Sequence, residues 1–257
     1  MTTSPGIKLP TPIKASASPL RLAVYGDGGT GKTTLALSFP YPLVIDTDGG
    51  LEGDAVSEDI IGEEWHPDGW RDLNALYTLI KQRTGEKAYQ TIVIDSIDTL
   101  CRFLLHEASD LPTRDRPKNA SESELITATQ QDYGKVSNAV DIFLTKLKVL
   151  SKERGVHIVL TSAVRLPDPD KGRTKRTFDV QPAVEANIKY WSNLYGELEV
   201  TELPKEKGSK EMEEHRILWT KASDRVRNNK TRWAALRPGV TNPTFDKIVG
   251  VIEGTWK

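Results

Sequence analysis

The chain has 257 residues, 37% hydrophobic and 28% charged, and a formal net charge of −1, which suits one large domain, or a domain with an appendage, whose affinity for nucleic acid must be read from local charge. A single cysteine, Cys101, excludes an intramolecular disulfide, sits in no metal-ligand spacing and reads as a packed apolar residue of a reducing compartment. No run of about eighteen apolar residues and no leader-like apolar core is present, so neither membrane nor secretion is indicated, and a cytoplasmic location is expected.

Residues 1–18, rich in Pro, Ser, Thr and Lys without periodicity, read as a flexible N-terminal arm; addition of "GIKLPTPIK" as a strand to a neighbouring subunit is the alternative. The apolar run Leu20–Tyr25 reads as a strand, and Thr33–Phe39 as the opening of a helix. Between them, "GDGGTGKT" matches G-x-x-x-x-G-K-[ST], a loop whose backbone N–H groups surround a polyphosphate. Gly26, Asp27, Gly28, Gly29, Thr30, Gly31, Lys32, Thr33 and Thr34 are therefore the candidate nucleotide contacts. The glycines permit close backbone approach, Lys32 brings charge to the β- and γ-phosphates, and the Thr33 hydroxyl ligates Mg²⁺.

A strand is expected at Pro42–Asp46 and a helix around Trp70–Arg83. The strand Thr91–Asp95 leaves Asp95 at its carboxyl end, where it can hold Mg²⁺ through a water or cap the following helix, Ile97–Glu107. A long helix around Tyr133–Glu153 carries the stripe Val136, Val140, Phe143, Leu144, Leu147 and Leu150, a core-facing pattern, and precedes the strand Val156–Thr161. "LYGELEVTEL" and "HRILWTKA" then read as an antiparallel pair around an exposed loop. The alternation predicts an α/β fold: a mainly parallel central sheet with flanking helices and a C-terminal antiparallel β-hairpin. Residues 19–235 form the expected nucleotide-binding domain and 236–257 a C-terminal tail.

Local charge concentrates in residues 165–177, with five basic and two acidic side chains, and in 220–233, with five basic and one acidic. Either is a solvated surface or a polyanion contact.

The order of parts resembles a RecA-like P-loop NTPase core, and more closely the RecA-like ATP-binding proteins of bacteriophages, some of which are single-strand annealing recombinases. "GDGGTGKTT", "VIDTDGGLE", "IVIDSIDTL", "HIVLTSAV" and the late hairpin carry the resemblance over residues 20 to 235. It implies an ATPase that uses Mg²⁺, is stimulated by DNA, and promotes annealing or strand exchange on single-stranded DNA in phage recombination. Its partners would be further copies in a ring or filament and a single-strand-binding protein, in the host cytoplasm. The resemblance gives Asp48 the activation of water, with Glu52 as the alternative, and puts Ser162, after Thr161, where RecA proteins sense the γ-phosphate with Gln. Lys221 and Arg225 fall where one subunit completes the ATP site of the next. Arg165, Lys171, Arg173, Lys175 and Arg176 become phosphate contacts to DNA and Phe178 a base-stacking ring; Arg114, Arg116 and Lys118 occupy the place of the first DNA loop.

Two other readings use the same residues. A small-molecule kinase would employ Lys32, Thr33 and Asp95 with Arg173 and Arg176 on a lid, and a nucleotide-switched scaffold would recruit a replication or packaging partner without turnover. A GTPase switch is disfavoured, because Asp95 continues as Ser-Ile-Asp and no D-x-x-G follows that strand.

Overall fold

The computed structural model describes residues 18–51, 62–67, 70–83, 85, 88–110, 128–172, 174–204, 211–222 and 229–256. Three apolar runs, β1 (Arg21–Gly26), β2 (Pro42–Asp46) and β4 (Thr91–Asp95), are buried along their whole length, as parallel strands covered on both faces must be. With β3 (Glu63–Trp65), β5 (His157–Arg165) and β7 (Leu194–Pro204) they form the parallel part of the sheet, in the order β3-β2-β4-β5-β1-β7. The antiparallel strands β8 (Met212–Trp219) and β10 (Gly239–Thr241) extend it beyond β7. Two-residue strands β6 (Thr177–Phe178) and β9 (Lys230–Thr231) pair antiparallel with β5 and β7.

The alternation of side chains along β1 divides the core in two. Ala23 and Tyr25 join one apolar cluster with residues of α2 (Trp70–Gln82), α3 (Ile97–Asp110), α4 (Gln130–Arg154) and α5 (Pro182–Trp191). Leu22 and Val24 join the other, with residues of α1 (Lys32–Leu37), Leu218 of β8, Val240 of β10 and Ile248 of α6 (Phe245–Glu253). The expected stripe of α4 is buried as a unit. That helix starts at a reciprocal cap, in which Thr129 Oγ1 accepts from the Asp132 N–H at 3.3 Å and Asp132 Oδ2 accepts from the Thr129 N–H at 2.9 Å. It stops at Gly155, whose left-handed φ of 72° suits a residue without Cβ.

The expected parallel sheet and late hairpin are thus both present, and β7 and β8 pair in register from Glu197–Trp219 to Pro204–Met212. Several elements differ from the sequence expectation. β5 continues four residues beyond Thr161, held by its pairing with β6. α5 occupies a stretch with no assigned element. Residues read as a tail supply β10 and α6, which close the antiparallel edge and cover the second core. Residues 1–17 of the arm lie outside the described residues, as do Arg114, Arg116 and Lys118. Among the described residues no helix is long and apolar enough to cross a membrane. Cys101 is buried, and burial pushes its thiol up to about 12, in keeping with a packed, unreactive side chain.

Candidate nucleotide site at the carboxyl edge of the sheet

The register aligns the ends of four strands. Asp46 stands opposite Asp95, Val24 opposite Thr161 and Gly26 opposite Ala163, so the groups expected to carry chemistry meet at the carboxyl edge.

The loop after β1 is shaped by what it passes. A Cβ on Gly26 would lie 2.3 Å from the Leu198 carbonyl oxygen, so only glycine lets β1 run this close to β7. Gly31 has φ 89° and a Cβ there would meet the Arg216 side chain at 2.8 Å, which puts an arginine of β8 against the loop. Asp27, Gly28 and Gly29 are exposed, Gly29 with φ 76°, while the buried Thr30 donates its hydroxyl to the Asp27 carbonyl at 2.9 Å. Lys32 Nζ folds over the loop onto the carbonyls of Gly26 and Asp27 at 3.0 and 2.8 Å. Burial lowers its pKa, against the opposing pull of Asp95, Asp98, Asp27 and Asp48. Thr34 is exposed on the first turn of α1.

Beneath the loop the Thr33 hydroxyl donates to Asp95 Oδ2 at 2.7 Å, and the Thr161 hydroxyl donates to Asp95 Oδ1. Both carboxylate oxygens are therefore aimed. An oxygen-only pair of hydroxyl and carboxylate, among acids that outnumber Lys32, is the donor set a hard divalent ion such as Mg²⁺ takes. The peptide between Asp95 and Ser96 is cis.

Asp48 leaves β2 on a turn fastened by Asp46, whose Oδ1 accepts from the N–H groups of Asp48, Gly49 and Gly50 at 3.1, 2.9 and 3.4 Å. Asp48 Oδ2 lies 3.5 Å from the Ser96 hydroxyl, next to Asp95 in the chain. Burial first, then the hydrogen bond with Asp46 and the charges of Asp95, Asp46 and Asp98, raise the Asp48 carboxyl to about 6. A carboxylate in that range can accept a proton near neutrality. Glu52, its alternative, lies outside the described residues.

Strand alternation separates Thr161 from Ser162. Ser162 is fully buried; its hydroxyl donates to the Ala163 carbonyl at 2.9 Å and accepts from the Asp179 N–H at 3.2 Å. That hydroxyl is committed to backbone, and Thr161 is the one that reaches Asp95.

The basic stretch 165–177 is less free than its composition suggests. Arg165 Nε pairs with Asp179 at 3.1 Å. Arg176 bridges two acids, donating to Asp27 of the loop at 2.9 Å and to the buried Glu197 at 2.5 Å. Phe178 has no exposed surface and packs on Tyr25 and Tyr195 with ring centroids 5.5 and 5.1 Å apart. It is a core residue and presents no ring to a base, a correction to its assignment from sequence. Lys175 is half-buried, Lys171 ends a short 3-10 turn at Pro169–Lys171, and Arg173 lies outside the described residues. Lys221 is exposed just after β8, and Arg225 lies outside the described residues.

The Asp27–Arg176 link and the approach of Arg216 to Gly31 escaped the sequence reading, since both join positions remote in the chain. Compared with known families, residues 18–233 match the model of a family described as an AAA domain. No curated protein matches the chain.

Proposed function

The chain belongs to the AAA domain family of P-loop NTPases, and from that premise we propose that it hydrolyses ATP at the Gly26–Thr33 loop and couples this turnover to single-stranded DNA. The observation that carries the hydrolytic part is the run of contacts from Thr33 through Asp95 to Thr161, with Lys32 above it and Asp48 beside it.

The loop amides and Lys32 hold the β- and γ-phosphates, and Lys32 leaves the Gly26 and Asp27 carbonyls to do so. Thr33 and Asp95 would hold Mg²⁺, which when bound supplies positive charge to the phosphate oxygens. Thr161 keeps Asp95 in place. Asp48 orients water in line with the γ-phosphorus and takes its proton as the new P–O bond forms and the bond to the β-phosphate oxygen breaks, releasing ADP and phosphate.

Coupling to DNA rests on Arg176. It belongs to the basic stretch yet is tied to Asp27, which lies in the phosphate loop itself. A loop that closes on phosphate shifts Asp27, and the stretch carrying Lys171, Arg173 and Lys175 responds. In a ring or filament of such subunits the response would pass along the DNA.

Steady-state ATP turnover measured with rising oligo-dT tests this. The expected result is stimulation of several-fold, lost in Arg176→Gln, which still binds nucleotide. Turnover indifferent to oligo-dT in the wild type would leave an ATPase without the proposed partner and favour the scaffold reading.

A further inference from the structure

On the antiparallel side of the sheet, Lys189, Lys221, Lys230 and Arg237 line a cleft of about 420 Å³ with Thr220, Ala222, Asn229 and Thr231. Among these residues four are cationic and none is acidic. The cleft is built from the end of α5, the turn after β8, strand β9 and the approach to β10.

Its cations are of two kinds. Lys230 shapes a wall: its Nζ donates to the carbonyls of Lys189 and Ser192 at 2.5 and 3.1 Å, closing the last turn of α5. Lys221 and Arg237 are exposed, and no ion pair is formed by either among the described residues. Like charges crowd the place. Burial lowers the pKa of Lys189 against the pull of Glu185, with Lys175 adding to the lowering. Burial, then Arg232, Lys189, Arg21 and Lys148, lower that of Lys230. Positive charge concentrated in a concave surface focuses a field that attracts a polyanion.

Tyr190 follows Lys189 on α5 and is 82% exposed, the most exposed large apolar side chain among the described residues. A basic groove with an open ring on the residue next to one of its lining lysines offers the combination that binds single strands, with cations following the phosphates and the ring receiving a base. Lys175 acts on Lys189 from the neighbouring stretch, and the next residue, Arg176, holds Asp27.

We propose that this cleft, with Lys221 and Arg237 as phosphate contacts and Tyr190 as the base platform, is where single-stranded DNA binds. The inference rests on the reading that the chain binds single-stranded DNA, and moves the main contacts away from Lys171 and Arg173 of the basic stretch. It also gives Lys221 a role within its own subunit.

Anisotropy of labelled oligo-dT with the full chain, over a series of salt concentrations, separates the possibilities. Lys221→Glu/Arg237→Glu changes exposed side chains only and should weaken binding at least about tenfold, with a salt slope smaller by about 1.4, two contacts' worth. Tyr190→Ala should weaken it by about tenfold with the slope unchanged. Lys171→Glu/Arg173→Glu should stay within about threefold of the wild type. The reverse pattern, loss in the Lys171/Arg173 variant and retention in the cleft variant, would overturn the inference and leave the DNA reading standing. No binding by the wild type would remove both.

Discussion

Asp48→Asn is expected to lower kcat for ATP hydrolysis by about 10²- to 10⁴-fold, the range for loss of a general base, while nucleotide affinity changes little. Asn keeps the size of the side chain and cannot take the proton. The surroundings that raise Asp48 to about 6 make the effect visible in a second way. Below that pH the carboxyl is protonated and cannot act as base, so kcat/KM of the wild type should fall as pH drops through about 6. The variant should show no such limb. Equal turnover by Asp48→Asn would take this residue out of the chemistry and direct attention to Glu52.

Asp95→Asn should be nearly as damaging, lowering turnover by about 10²- to 10³-fold at ordinary Mg²⁺. The wild-type carboxylate accepts from Thr33 on one oxygen and Thr161 on the other. In the amide one of these acceptors becomes an NH₂ donor facing a hydroxyl, and the negative charge that would attract the cation is gone. Raising Mg²⁺ should restore part of the activity. Turnover in Asp95→Asn that matches the wild type and ignores Mg²⁺ would mean that Asp95 only caps the turn into α3.

The phosphate loop, the buried strand ending in Asp95 and the late hairpin were legible because each has a local signature: glycine spacing, an apolar run before an acid, alternating strands around a charged loop. α5 was missed although Val184, Ile188 and Trp191 fall on one face, because a ten-residue helix that opens on a proline offers no more than that short stripe. β3, three residues with two glutamates, has no apolar pattern at all. Of the site, Thr33 of the phosphate loop lies within hydrogen-bond distance of Asp95 at the end of its strand. Phe178 did not follow its neighbours, since a basic stretch in sequence conceals an alternation that turns one ring into the core. Arg176 and Asp27 are 149 residues apart, and the pairing of β6 with β5, with the contacts of Arg176 to Tyr25 and Glu197, brings them together. Lys221, Lys230 and Arg237 could be counted from the sequence, but their convergence with Lys189 depends on α5, which was not expected.

The most direct test of the account is Mg²⁺-dependent release of phosphate from ATP by the wild type and by Lys32→Ala. The account predicts sustained turnover by the wild type, raised by oligo-dT, and loss of nearly all of it in the variant. A wild type that binds ATP and never releases phosphate, or a Lys32→Ala protein that turns over equally well, would contradict it.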